Sequence, residues 1–495
     1  MHSSWVDLGA SEVAAQADLS PHLSPLQRKS SQRGGHPPVP AVCAVTGGTG
    51  FVGGRLVEML IERGAKTVRV LDIVPAPPNA WRDPRIEYLV GDICDPKAVA
   101  TLVAGADCVW HNAAAVGPFH PRDLYFKVNY EGTLVVIKAC RDAGVRKIIM
   151  SSSPSTRFDG SDVDGLTEAQ LPTLPQARYL QTYAETKAMG EKALTDACCD
   201  ELMTCAVAPH QVYGPRDNLF LPNLLEAAGT GRLRVFGPGR NRICFTHVDN
   251  YAHGLILAER ALVKGSPALG GFYIVTDGAT HPHSEGYLYF WDLIDQAAVA
   301  MGFASVKAKM HLPMWLLLLL ASICEAIGYV LNITLKLSHF NVKMLTMHRW
   351  FGIAAAEVTS MAVNPDPAQL DTSSPYFPWC HVAGRPRLLA DRLLCRRVRH
   401  LPTSPTFHDL LSPSLSRVAI NPCDISPHLP PSMTFSHLLS HTWRSTRTCR
   451  WADTLEWFRD HWLPSFDPNA GLTGLAKGTE DKIKTQVAGT GTAAE

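Results

Sequence analysis

The sequence predicts an α/β protein built on a doubly wound parallel sheet, and three observations lead to that class. A strand, a glycine-rich turn and a helix follow one another between residues 41 and 63. A strand–helix alternation continues from there to about residue 151. The first strand is a short apolar, β-branched run of the kind found in sheets covered on both faces.

The elements can be justified in order. Ala41-Val42-Cys43-Ala44-Val45 is the buried strand, and Phe51 to Arg63 has helical spacing, with Leu56, Leu60 and Ile61 on one side and Gly64 as a stop. Between them Thr46-Gly47-Gly48-Thr49-Gly50-Phe51-Val52-Gly53 aims backbone N–H groups and a positive helix end at a phosphate. Gly47, Gly50 and Gly53 allow close approach of a pyrophosphate. This is a Rossmann-type nucleotide loop, and Phe51 and Val52 join its three glycines as predicted cofactor contacts. The next strand, Thr67 to Leu71, ends in Asp72, at the separation where a carboxylate reaches the adenosine ribose hydroxyls. A carboxylate there repels a 2′-phosphate, so the predicted cofactor is NAD, with Arg69 and Arg82 near enough in sequence to work against that preference.

Further strands are predicted at Ile86–Gly91, Asp107–His111 and Arg146–Ser151, with a helical stretch from about Asp123 to Ala143. Ligands bind beyond the carboxyl ends of such strands, which makes Asp92 with Ile93, and Asn112 with Ala113 and Ala114, candidates for the adenine and ribose sides. Ser153 also follows a strand end. Tyr183 and Lys187 lie one helical turn apart on the next predicted helix, so their side chains share a face. A phenol with an ordinary pKa near ~10 is a poor base at neutral pH; an ammonium and an oxidised nicotinamide nearby both favour its ionised form. Tyr183 is therefore the predicted general base, Ser153 the group that holds a substrate hydroxyl, and Lys187 the tuning cation. The predicted chemistry is oxidation of an alcohol.

Gly47-x-x-Gly50-x-x-Gly53, Val128-Asn129-x-x-Gly132-Thr133, Ser151-Ser152-Ser153, Tyr183-x-x-x-Lys187 and Pro209-His210-x-Val212-Tyr213-Gly214-Pro215-Arg216-Asp217 together resemble an extended short-chain dehydrogenase/reductase. Within that group the chain resembles the 3β-hydroxysteroid dehydrogenase family, above all the decarboxylating sterol-4α-carboxylate 3-dehydrogenases. The closest echoes run from Ser151 to Gly160, from Tyr183 to Lys187, and over Phe245-Thr246-His247-Val248-Asp249-Asn250. The resemblance covers about Ala41 to Glu357. It implies Ser153, Tyr183 and Lys187 as the catalytic set, Asn129, Pro209 and Val212 as further cofactor contacts, and oxidation of a sterol 3β-hydroxyl next to a C4 carboxylate that leaves as carbon dioxide. Arg157, His210 and Arg216 are candidate partners for that carboxylate. A sugar-nucleotide epimerase or dehydratase, or another NAD(P)-dependent alcohol dehydrogenase, is the alternative on the same scaffold, and a non-catalytic NAD-binding sensor the more distant one.

Leu312 to Leu331 is apolar apart from Glu325, close to the ~20 residues needed to span hydrocarbon, with Trp315 and Tyr329 near its edges. A spanning or a monotopic helix would both bring a sterol enzyme to membrane lipid. The resemblance implies the endoplasmic reticulum membrane with the catalytic domain facing the cytosol, and is compatible with a homodimer. The formal net charge of +1 gives no support for a nucleic-acid partner. The thirteen cysteines show no metal or disulfide spacing, so no metal site is predicted and Cys198-Cys199 reads as a reduced pair.

The expected organisation is a disordered tail over 1–40, an NAD-binding domain over 41–210 and an interleaved substrate lobe over 211–357 that includes the hydrophobic helix at 312–331. An irregular stretch at 358–450, rich in Pro, Ser, His and Arg, departs from the family pattern. It reads as translated intron or a gene-model error, with a lineage-specific loop as the second reading. A closing helix at 451–466 and a disordered tail at 467–495 complete the chain.

Overall fold

In the computed structural model the apolar run after Ala41 forms β1, Val42–Thr46, an inner strand of a seven-stranded sheet in the order β3-β2-β1-β4-β5-β7-β11. The structure describes residues 38–78, 80–117, 120–278, 286–331, 337–352, 451 and 453–467. The stretch expected at 358–450 lies outside these residues, as do the two expected tails apart from 38–40 and Asp467.

Every strand pairing in the large sheet is parallel. The remaining strands of the sheet are β2 (Thr67–Asp72), β3 (Ile86–Val90), β4 (Cys108–His111), β5 (Lys147–Ser151), β7 (Met203–Pro209) and β11 (Gly271–Val275). Side chains alternate across a strand, so Cys43 and Val45 enter one core layer and Ala44 the other. Helix α1 (Phe51–Glu62) covers the first face. Helices α2 (Pro96–Val103) and α3 (Gly132–Asp142) cover the second. The chain order reverses between β1 and β4, which opens a crevice at their carboxyl ends.

A smaller four-stranded sheet orders β12-β9-β13-β6, drawing on Leu288–Tyr289, Arg242–Ile243, Arg349–Phe351 and Val163–Leu166. Its strands come from four distant parts of the chain, which is why the substrate lobe reads as interleaved. The closing segment is helical over 453–457 and continues through Phe458–Trp462, with Phe458 fully buried in the core of this lobe.

Arg55 of α1 ties the cofactor helix to the lobe. Its Nε donates to Asp249 at 2.6 Å, at the start of α6 (Val248–Ala261), and Nη1 reaches Glu62 at 3.0 Å and Glu58 at 3.3 Å. Glu58 in turn accepts two bonds from Arg216, at 2.6 and 2.8 Å, which hold that residue at φ 70 in the loop after β7. Removing one member of such a buried network strands the others without counter-charge. Arg55→Met should therefore cost about 3–5 kcal/mol of stability, read as a fall in the urea midpoint without a change of slope.

The apolar helix α8 runs Met314–Leu331, long and apolar enough to cross a membrane by length and composition. Only Leu317 and Ala321 are buried, against Val342 of α9 (His339–Met344) and Phe236, Leu312 and Leu337. Trp315 and Tyr329 are 68% and 91% exposed, so most of the apolar surface faces outward. Glu325, the charge within this run, meets His339 Nδ1 at 2.9 Å and accepts the His339 backbone N–H at 2.8 Å.

Candidate active site

The glycine turn closes on itself and on the start of the β4 loop. A Cβ on Gly53 would stand 2.1 Å from the Gly47 carbonyl oxygen, and one on Gly47 would stand 2.8 Å from the Ala113 backbone. These glycines are therefore required by close backbone approach, with Gly47 also at φ +68. Gly50, by contrast, has its nearest neighbour at 3.3 Å, the Gly47 oxygen. Phe51 and Val52 open α1 directly behind the turn.

Asp72 ends β2 beside this loop, where its Oδ2 accepts from Thr49 N at 3.1 Å and Thr49 Oγ1 at 2.5 Å. Neither arginine weighed against NAD is directed to it. Arg69 pairs with Glu87 at 3.0 Å, and the Arg82 guanidinium lies over the Tyr88 ring at 5.8 Å. Asp92 forms a turn with Cys94 N at 2.9 Å and an ion pair with Lys127 at 3.3 Å, while Ile93 is buried against Gly132.

Asn112 carries an amide whose Nδ2 and Oδ1 are both buried without a protein partner, at the carboxyl end of β4. An orphaned amide beside a glycine cradle and a carboxylate is the donor set a dinucleotide requires, so the residues present fit NAD. Ala113 N donates to Thr46 Oγ1 at 3.1 Å, and Ala114 continues the same loop. Asn129 differs from its predicted role as a direct contact. It sits in the π-helical stretch Phe126–Glu131, and its amide is engaged with Ala115 N at 2.8 Å, Ala115 O at 3.2 Å and Thr186 Oγ1 at 3.2 Å. It shapes the loop after β4 instead of reaching past it.

Tyr183 and Lys187 lie in the first turns of α4, Thr182–Asp196. The helix is fastened to the end of β5 by Lys187 Nζ, which donates to the Ser151 carbonyl at 2.6 Å, and by Glu191, whose carboxylate accepts from Ser152 and Thr156 and pairs with Arg157 at 2.5 Å. Ser153 caps the short 3₁₀ turn Pro154–Arg157 and accepts from Ser155 Oγ at 2.9 Å. Ser153 also acts on the Tyr183 phenol, favouring its ionised form. Tyr183, Ser153 and Lys187 are thus brought together at the carboxyl end of β5.

Electrostatics at this site differ from the sequence expectation in one respect. Burial pushes the Tyr183 phenol up to about 12, opposed by Ser153 and reinforced by nearby Tyr125. Burial also brings Lys187 down to about 8, against the pull of Glu191. His111, bonded to Thr46 Oγ1 at 2.8 Å and Thr133 Oγ1 at 3.0 Å, is brought down to about 3 and stays neutral.

Two further residues support the site, one with a trace in the sequence and one without. Glu191 follows Lys187 by four residues and Tyr183 by eight, a spacing that marks one helix face and was readable in principle. Tyr251, which donates to Val207 O at 3.0 Å and meets Ser151 Oγ at 2.6 Å, comes from a distant helix and left no local signal. The residues weighed as carboxylate partners are placed otherwise. Arg157 is committed to Glu191 and stacks over Phe272, Arg216 is committed to Glu58, and His210 Nδ1 meets Cys244 O at 2.8 Å. Pro209 ends β7 and Val212 pairs with Thr246. No group of metal ligands occurs among the described residues, and the nine described cysteines are free thiols.

A model of the 3-beta hydroxysteroid dehydrogenase/isomerase family matches residues 44–307. The chain belongs to this family. It is an NAD-dependent oxidoreductase. It is 34% identical over 294 residues to the decarboxylating sterol-4-alpha-carboxylate 3-dehydrogenase of Mus musculus, covering 59% of this chain and 76% of that one. It is 31% identical over 320 residues to the 2-alkyl-3-oxoalkanoate reductase of Stenotrophomonas maltophilia, covering 63% and 91%. A solved structure titled "Crystal structure of gox2253" superposes with TM-score 0.51 at 24% identity, over 65% of this chain and 92% of that one, a likeness of fold.

Two outcomes follow from this geometry. Asp72→Ala should raise NADP use relative to NAD by about tenfold or more, measured as the ratio of kcat/KM values; an unchanged ratio would remove Asp72 from ribose recognition. Because a phenol held high must ionise to act as a base, alcohol oxidation should rise steadily from about pH 6 to about pH 9. A flat initial-rate profile over that range would remove the Tyr183 proton from the rate-determining chemistry.

Proposed function

We propose that the protein oxidises the 3β-hydroxyl of a sterol that carries a carboxylate on the adjacent carbon, C4, with loss of that carboxylate as carbon dioxide. The observation that carries the reading is the grouping of Tyr183, Ser153 and Lys187 at the end of β5, in a family whose relatives are named for this substrate pattern. A sterol-4-alpha-carboxylate and a 2-alkyl-3-oxoalkanoate share one arrangement: an oxygenated carbon, a substituted carbon, then a carboxylate.

In this reading Gly47, Gly50, Phe51, Val52 and Gly53 hold the pyrophosphate, Asp72 the adenosine ribose, Asp92 and Ile93 the adenine side, and Asn112, Ala113, Ala114, Pro209 and Val212 the rest of the dinucleotide. NAD, when bound, supplies the acceptor for the hydride lost from C3. Ser153 holds the carbinol oxygen and the Tyr183 phenolate takes its proton. Lys187 stands between the helix and the ribose side. The C3 oxygen then becomes a ketone β to the carboxylate. When the C4–carboxylate bond breaks, its electron pair moves into an enolate on C3, which Tyr183, now protonated, and Ser153 stabilise by hydrogen bonds. C4 takes a proton from solvent. The protein needs no separate decarboxylation acid, because the ketone accepts the electrons.

A sterol substrate also suits α8, whose outward apolar face would bring the enzyme to membrane lipid of the endoplasmic reticulum, with the site on the cytosolic side. The catalytic unit of this reading comprises 41–210 and 211–357 closed by 451–466, with 358–450 as translated intron or gene-model error.

The deciding assay supplies detergent-solubilised protein with NAD and a 4α-carboxy-3β-hydroxysterol. NADH and carbon dioxide should form in equal amounts, and Tyr183→Phe should keep NAD binding while losing turnover by about a thousandfold. Turnover of a nucleotide sugar with none of the sterol would replace this reading with the epimerase or dehydratase alternative.

A further inference from the structure

We propose that Arg349 is the cation that receives the substrate carboxylate, a specificity-determining role that rests on the substrate reading above. The site needs a positive charge for an anion that enters an otherwise apolar lobe, and the cations near the catalytic group are engaged elsewhere. Lys187 is bound to Ser151 O at 2.6 Å, Arg157 to Glu191 at 2.5 Å and Arg216 to Glu58 at 2.6 Å. Arg242 is paired with Asp164.

Arg349 is not engaged in this way. It lies on β13, Arg349–Phe351, in the interleaved sheet, and none of the described aspartates or glutamates pairs with it. Its Nη1 reaches Met344 Sδ at 3.0 Å, a weak acceptor, and its Nε is buried without a partner. A guanidinium nitrogen shut away from water without an acceptor is costly to keep, and a ligand carboxylate would remove that cost. Burial also brings its pKa down to about 10, so the group is still charged at neutral pH.

β13 packs against the loop that follows β7. Phe351, two residues along β13, meets the His210 ring edge-on at 5.3 Å, and His210 directly follows Pro209 at the end of β7. His210 Nδ1 bonds Cys244 O at 2.8 Å, and the Arg349 charge acts on Cys244 as well. β7 is the immediate neighbour of β5, whose end carries Ser151 and leads to Ser153. Arg349 thus shares a three-residue strand with Phe351, which packs on the loop after β7, and β7 is the neighbour of the strand that leads to Ser153. Phe158, Phe272, Met347 and Trp350 pack with Phe351 into one buried apolar cluster.

Binding and chemistry should separate at this residue. A cation held against the carboxylate stabilises the bound substrate, but the negative charge leaves the carboxylate as carbon dioxide forms, so Arg349 should not speed that step. The test compares the full-length enzyme with Arg349→Met and Arg349→Lys, using a 4α-carboxy-3β-hydroxysterol and the same sterol without the carboxylate. Arg349→Met should raise KM for the carboxysterol by about ten- to a hundredfold, the scale of a lost charge-assisted bond. The kcat should change far less, one carbon dioxide should still form per NADH, and KM for the sterol without the carboxylate should hold. Arg349→Lys should recover part of the loss. Equal losses on both sterols, or an unmoved KM for the carboxysterol, would overturn the assignment to Arg349 alone. A wild-type enzyme that oxidises only the sterol without the carboxylate would overturn the substrate reading and Arg349 with it.

Discussion

The attachment of α4 to the end of β5 is the constraint on which the site depends. Tyr183 and Ser153 belong to different segments, and a shift of α4 along the sheet would separate them. Two buried charges prevent it. Lys187 grips the last carbonyl of β5, and one turn later Glu191 collects Ser152, Thr156 and Arg157 from the segment that follows the same strand. A buried carboxylate is tolerated only when its acceptor sites are satisfied, so this cluster is either complete or costly. That stringency gives the phenol a fixed place.

The same logic operates on a larger scale at Arg55. Its three carboxylate partners connect the cofactor helix, the start of α6 and, through Glu58, the strained Arg216 of the loop after β7. Nucleotide and substrate regions are thereby referenced to one another by charge pairs whose partners are fixed, while the apolar layers on either side of the sheet supply cohesion. The division of labour is physical: hydrophobic burial is non-directional, and position comes from the buried polar networks.

The substrate lobe follows a different rule. Its small sheet gathers two- to four-residue strands from positions as far apart as Val163 and Phe351, and its core is closed by Phe458 from the end of the described chain. An arrangement of this kind leaves α8 with only Leu317 and Ala321 buried, its remaining apolar face turned outward. The balance between packed and outward surface is what distinguishes this helix from an ordinary core helix of similar composition.

The sequence by itself determined what local spacing can encode. The glycine turn, the strand run ahead of it, Asp72 at a strand end and the Tyr183–Lys187 pair each depend on residues a few positions apart, and each stands in the structure where its spacing places it. Tertiary structure decided which charges are available. Arg157, Arg216 and His210 read as equivalent candidates for an anion because their partners, Glu191, Glu58 and Cys244, lie 34 to 158 residues away in the chain. Asn129 read as a cofactor contact and is instead a clamp between two segments, since its partner Thr186 is 57 residues distant. Arg349 carried no signal in sequence for the complementary reason: lacking an anionic partner is a property of the surroundings, and only the folded chain defines them.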